Sequence, residues 1–178
     1  VKGSLVDGPY RWADQIKALE TAVKILGKER VSTHLIVGLG ENDRELIGTI
    51  QRMIDMGVYP GLFAFTPIPG TWLERRPPPS LKRYRRIQLA HYLITRGEVR
   101  YEETTFCKSG KLTDLSVSDD RLKQIVRTGL PFMTSGCPGC NRPYYNERLG
   151  GPIYNYPRKL NIDEIIEIEK QIGDDLTD

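Results

Sequence analysis

Two cysteines separated by Pro-Gly, in Cys137-Pro138-Gly139-Cys140, are the residues best suited to chemistry in this chain. A turn of that composition aims two thiolates at one point, as tetrahedral zinc or an iron–sulfur cluster requires. A thiol–disulfide redox pair is the rival reading. It wants the motif to open a helix directly after a strand, and Pro143 followed by Tyr144 and Tyr145 discourages a helix here. A second Cys-x-x-Cys would specify zinc, but the only other cysteine is Cys107. It lies in a polar stretch beside Lys108 and reads as incidental to the pair. Three cysteines without a secretory signal argue against a disulfide framework.

A second candidate is Gly38-Leu39-Gly40-Glu41, which follows the run Val31 to Val37 and opens a helical pattern. Glycines at the carboxyl end of a strand let a ligand approach the backbone, and a helix N-terminus favours anions. The third glycine of a dinucleotide fingerprint is missing, which excludes that pyrophosphate site. An ordinary strand-to-helix turn has the same spacing. A third candidate is the stretch Phe63 to Thr71, where Thr66 is followed by Pro67-Ile68-Pro69-Gly70-Thr71. It leaves backbone polar groups free to bond a planar ligand, or is a proline-broken loop. The basic run Arg75, Arg76, Lys82, Arg83, Arg85, Arg86 reads as a solvated helix face, or as a contact for an acidic partner domain. His34, inside a strand, reads as a buried and satisfied histidine, or as a substrate contact if the strand lines a barrel interior. His91 reads as a helix-surface residue.

The elements that must position these groups follow from periodicity. Trp12, Ile16, Leu19, Val23 and Leu26 mark one helix face, with Gly27 at its C-terminus. Val31 to Gly38 reads as a strand covered on both faces. Asn42 or Asp43 caps a second helix through Leu46, Ile47, Ile50, Met53 and Ile54, ended by Gly57. A second strand includes Leu62 to Phe65, and Ser80 caps a third helix through Leu81, Tyr84, Ile87, Ala90 and Ile94. Alternation of helix and strand at this spacing implies a parallel sheet of α/β class. After Arg100 the pattern turns irregular, apart from a short helix capped by Ser118 and a last helix with Asn161 and Glu164 as a capping box. The expected division is 1–100 and 101–178.

Composition sets the remaining bounds. With 39% hydrophobic and 28% charged residues the chain can build a core. A net charge of +3 is too small to argue for nucleic acid, and no apolar run is long enough to cross a membrane. The absence of a signal pattern reads as cytoplasmic. Val1-Lys2-Gly3-Ser4 reads as a cut, not a beginning, since two parallel strands make no stable sheet and a complete β/α barrel takes about 250 residues.

Taken together, the stretches His34 to Glu41 and Phe63 to Thr71 resemble the second half of a radical S-adenosylmethionine (SAM) barrel. Thr134 to Glu147, with Tyr154-Asn155-Tyr156-Pro157-Arg158, is similar to the tail of archaeal-type two-protein lipoyl synthases, within the biotin synthase and lipoyl synthase branch. The resemblance implies the second half of a TIM-type β/α barrel, its N-terminal half missing, plus a cysteine-containing extension. It implies SAM and a [4Fe–4S] radical cluster whose cysteines lie upstream, so that no catalytic residue is assigned in this chain and the chain alone is inactive. Ile36, Gly38, Gly40 and Glu41 would line the adenosine side, and the backbone from Phe63 to Thr66 would meet the adenine. Cys137 and Cys140 would hold an auxiliary iron–sulfur cluster that donates sulfur. Ser32 and Phe63 stand where biotin synthase carries a cluster cysteine and an asparagine, so conversion of octanoyl to lipoyl fits better than biotin formation. Implied partners are the missing half of the barrel, a second synthase subunit and a lipoyl-carrier protein or peptide. The alternatives are a radical SAM enzyme with another substrate, biotin-like or a cofactor precursor, and a zinc-binding interaction module without catalysis.

Overall fold

The computed structural model describes residues 11–134 and 151–173. It opens with α1 (Trp12–Leu26), β1 (Val31–Val37), α2 (Asp43–Asp55), β2 (Val58–Ala64) and α3 (Leu81–Thr95). Local chemistry sets these boundaries. The Asn42 side chain accepts from the Glu45 amide while the Glu45 carboxylate accepts from the Asn42 amide, which closes a capping box on α2. The Ser80 hydroxyl accepts from the Arg83 amide at the start of α3, behind the prolines that end the preceding loop.

β1 and β2 pair in parallel, from Val31 beside Val58 to Val37 beside Ala64. Val37, Leu62 and Ala64 are buried with Leu46, Ile47 and Ile50 of α2 and Ile87, Ala90 and Leu93 of α3. Ile16 of α1 joins Val31, Met53 and Val58 in a second cluster. All three helices thus bury the same alternate positions of β1. The intervening positions, Ser32, His34 and Ile36, are exposed. This corrects the expectation of a strand covered on both faces: the apolar run from Leu35 to Val37 alternates in burial, because helices pack on one face of the sheet only. It also corrects His34, which is exposed on that open face, its ring edge-on to Phe63 with centroids 4.7 Å apart.

The irregular stretch after Arg100 contains a 3-10 turn at Tyr101–Glu103 and an antiparallel hairpin of β3 (Thr105–Phe106) and β4 (Leu112–Asp114). Then follow α4 (Asp119–Thr128), a 3-10 turn at Leu130–Phe132 and α5 (Ile162–Ile172), the last with the expected box of Asn161 and Glu164. Leu112, Leu115, Ile125, Phe132, Tyr154 and Ile168 share one hydrophobic cluster with Ile47, Tyr84 and Ile87.

Two further expectations change. The basic run is not one solvated face, since Arg75 is exposed but Arg85 is fully buried and Arg86 nearly so. Arg85 donates to the Ile153 and Tyr154 carbonyls at 2.6 and 2.5 Å, to Gln88 at 2.7 Å and to Gln171 at 3.0 Å. Its guanidinium also faces the rings of Phe132 and Tyr156, each centroid 5.6 Å away. Buried cations persist when their donors are satisfied in this way. His91 is not on the surface either. It is 5% exposed, with Nε2 2.6 Å from the Pro60 carbonyl oxygen. Burial drives its imidazole down to about 4, and the Pro60 bond only partly opposes the shift.

Candidate functional site

The carboxyl ends of β1 and β2 collect most of the expected site residues. Ile36 and Phe63 are register partners, so they stand side by side on the open face. Ile36 is 39% exposed and Phe63 is half-buried. One residue beyond β2, the Phe65 amide donates to the carbonyl of Val37, the last residue of β1, and Thr66 continues from there, half-buried.

The chain then turns at Gly38 and Gly40, with φ of +107° and +122°, values that side chains with a Cβ rarely adopt. The Glu41 carboxylate closes this turn. Its Oε1 accepts from the Gly38 amide at 2.8 Å and from Arg83 Nη2 at 3.0 Å. Arg83 also donates to the Glu41 carbonyl at 2.9 Å and through Nε to Asp43 at 2.8 Å. The other oxygen of Asp43 accepts from the Leu112 amide at 3.1 Å, so a buried carboxylate ties α2, α3 and the hairpin together. Asp43, one of two capping candidates, has this bracing role, and Asn42 is the cap. Glu41, expected on the adenosine side, presents a carboxylate already committed to the turn and to Arg83.

Three neighbours wall the turn. A Cβ on Gly38 would lie 3.1 Å from Cδ of Pro79 and 3.2 Å from Cβ of Phe65. A Cβ on Gly40 would lie 3.1 Å from Nη2 of Arg76, whose Nε donates to the Gly38 carbonyl at 2.8 Å. Beside the turn is an open cavity of about 500 Å³ lined by Gly38, Arg76, Pro77, Pro78, Pro79 and Arg83. The sequence marked the Gly38 and Gly40 backbone but did not assign Arg76, Arg83 or Pro79 to it. Their only signal was the basic run and the prolines, which carry no information about which side chains fold back across 38 to 42 residues.

Exposed Ile36 and Leu39 offer apolar surface to a planar base, and the glycine backbone is approachable beside them. Cys137 and Cys140 lie outside the described residues. The structure does place the chain on either side of them. The Thr134 amide donates to the Tyr156 carbonyl and the Tyr156 amide to the Phe132 carbonyl, at 2.9 and 2.8 Å. The Tyr154 hydroxyl donates to the carbonyl of Pro79 at 2.8 Å. Residues 134 and 156 therefore meet, and Tyr154, two residues before the latter, is anchored to the proline that walls Gly38.

Cys107 lies in the turn between β3 and β4, with Sγ 3.0 Å from the Ser109 hydroxyl. That hydroxyl, then the amides of Ser109, Lys111 and Gly110, hold the thiol below its usual range. Among the described residues no group of three or more His, Cys, Asp or Glu side chains is placed to hold a metal. Nor, among them, is any helix long and apolar enough to cross a membrane.

No family model matches the chain. No solved structure matches it. Among curated proteins, a bacteriochlorophyllide c C-7(1)-hydroxylase from Chlorobaculum limnaeum is 39% identical over 66 residues. That stretch is 36% of this chain and spans 16% of the hydroxylase. The likeness does not single out lipoyl synthase.

Proposed function

We propose that the chain is part of a radical SAM enzyme that attacks an unactivated C–H bond, and that its β1–α2–β2 unit supplies the adenosine side of the SAM site. The observation that carries this reading is the convergence at one sheet end. The Gly38–Glu41 turn, the open pair Ile36 and Phe63, and the cavity beside Arg76 all lie at the carboxyl ends of two parallel strands. In α/β folds, ligands bind at that end. The likeness to the hydroxylase supports the same reading from sequence.

The residues present have separable tasks. Gly38 and Gly40 expose backbone to the ligand, Glu41 and Arg83 hold the turn's shape, and Ile36 and Phe63 keep water from the base. SAM bound beside a reduced [4Fe–4S] cluster supplies hydrogen-atom abstraction, and the cluster cysteines belong to a part of the enzyme outside this chain. In this reading the exposed face of β1 and β2 is the inner wall of a β/α barrel completed by that part.

At the finer level the reading is lipoyl synthase-like: sulfur added to an octanoyl chain, with Cys137 and Cys140 holding an auxiliary cluster. Its support is the Cys-Pro-Gly-Cys block and the apolar Phe63 and Phe65. The relative's name instead describes hydroxylation, which shares the hydrogen abstraction and differs in what is added. One experiment separates these. The full-length enzyme, reconstituted anaerobically, is given SAM, a reductant and an octanoylated carrier peptide. Formation of 5′-deoxyadenosine with mass gain from sulfur is the expected result. Cleavage of SAM without sulfur transfer sinks the lipoyl assignment alone, and no cleavage under any condition sinks the radical SAM assignment.

A further inference from the structure

His34 is the titratable side chain on the open face of β1. Ser32, His34 and Ile36 alternate with the core positions of that strand, and all three are exposed. The register partner of His34 on β2 is Gly61, which carries no side chain, so nothing directly across the pair competes with the imidazole. Phe63 meets it edge-on instead, with centroids 4.7 Å apart and planes at 85°. That contact orients the ring and leaves its polar edge unspent. Among the described residues, no hydrogen bond or ion pair engages either ring nitrogen. The chain's other histidine, His91, is buried and spends Nε2 on the Pro60 carbonyl.

Polarity is ordered along this face. Side chains two residues apart on one face are separated by roughly 6–7 Å along the strand. Ile36 and Phe63 stand nearest the Gly38 turn, and His34 lies one such step further from it. An apolar wall with one donor–acceptor group behind it is the pattern of a site that takes hydrocarbon and reads a single polar group. The chemistry asks for that order. A carbon whose C–H bond is unactivated bears no polar group, so the group that orients the substrate must sit several bonds away from it.

We propose that His34 is a substrate-binding residue whose ring N–H donates to a carbonyl oxygen of the acceptor, with the acceptor's saturated chain lying against Ile36 and Phe63. An acyl amide carries the two parts in this order. The proposal rests on the functional reading above, which makes this face an inner wall of the active site.

The full-length enzyme, reconstituted anaerobically, is treated with diethyl pyrocarbonate, and carbethoxylation of His34 and His91 is followed by peptide mass spectrometry. Exposed His34 should label readily and buried His91 should resist. An octanoylated carrier peptide should slow labelling of His34 at least tenfold, and the acetylated peptide or SAM alone should not. The proposal is overturned if His34 fails to label in the ligand-free enzyme, if the octanoylated peptide gives no protection, or if the acetylated peptide or SAM alone protects equally. His34→Leu should weaken equilibrium binding of the octanoylated peptide at least tenfold with SAM affinity unchanged. His34→Gln, which keeps an N–H donor, should recover part of the loss. Unchanged affinity in His34→Leu, or equal losses in the two variants, also overturns it. Sulfur transfer to the peptide without protection of His34 removes this contact and keeps the functional reading. Protection with no cleavage of SAM under any condition keeps the contact and removes that reading.

Discussion

His91 shows how one side chain couples burial to pH. Its neutral ring donates through Nε2 to the Pro60 carbonyl and meets Tyr59 edge-on, centroids 5.7 Å apart. Folding holds its pKa near 4, well below the ordinary histidine value of 6.5. The sign follows directly. Above the ordinary value both states are neutral and the shift has no effect. As pH falls through it, the unfolded chain takes up a proton that the folded chain refuses, so stability declines between these two values. By linkage the loss reaches roughly 2 kcal/mol at about pH 5. Urea midpoints measured for the protein at neutral and mildly acidic pH check this. His91→Gln keeps a donor for Pro60 without a titrating ring, and its midpoint should vary much less across the same interval. An equal decline in both proteins would place the acid sensitivity elsewhere.

At the scale of elements, α3 is held by the buried charge of Arg85. That guanidinium spans from α3 to the Ile153 and Tyr154 carbonyls and to Gln171 of α5. Arg85→Lys replaces a planar fork with a shorter ammonium that cannot reach these acceptors together, and buried acceptors left unpaired are costly. Chemical denaturation should show a loss of about 2–4 kcal/mol, while Arg75→Met, on an exposed side chain, should stay within about 0.5 kcal/mol of the parent. A similar small effect for both would mean that Arg85 does not brace the helix. This residue also marks the limit of reading elements from sequence. The caps at Asn42, Ser80, Ser118 and Asn161 are local and were legible, because each bond spans three residues. The burial of Arg85 and His91 was not, since apart from Gln88 their hydrogen-bond partners lie 31 to 86 residues away and nothing in the α3 sequence names them. The glycine turn was legible as backbone chemistry. The arginines that close over it were legible only as charge.

At the scale of the molecule, the decisive feature is the bare face of the sheet. Ser32, His34 and Ile36 face outward beside half-buried Phe63, while the opposite face carries the core. A strand with one apolar face packed and the other uncovered is stable only where that second face meets water or a partner. Ser32 and His34 tolerate water, but Ile36 and the Phe63 ring gain from being covered. In the barrel reading the cover is the rest of the parallel sheet, which turns this face into an interior wall. Ser32 is the position that tests it, being exposed, small and two residues from His34. Ser32→Cys, in a background with Cys107, Cys137 and Cys140 replaced by serine, is treated with a bulky maleimide in two forms. The 178-residue chain should label rapidly. The longer protein should label at least tenfold more slowly, because a reagent of that size cannot enter a barrel interior filled by side chains. Equal rates would leave this face open to solvent in the longer protein, and the two strands would then have to present the site on an outer surface instead.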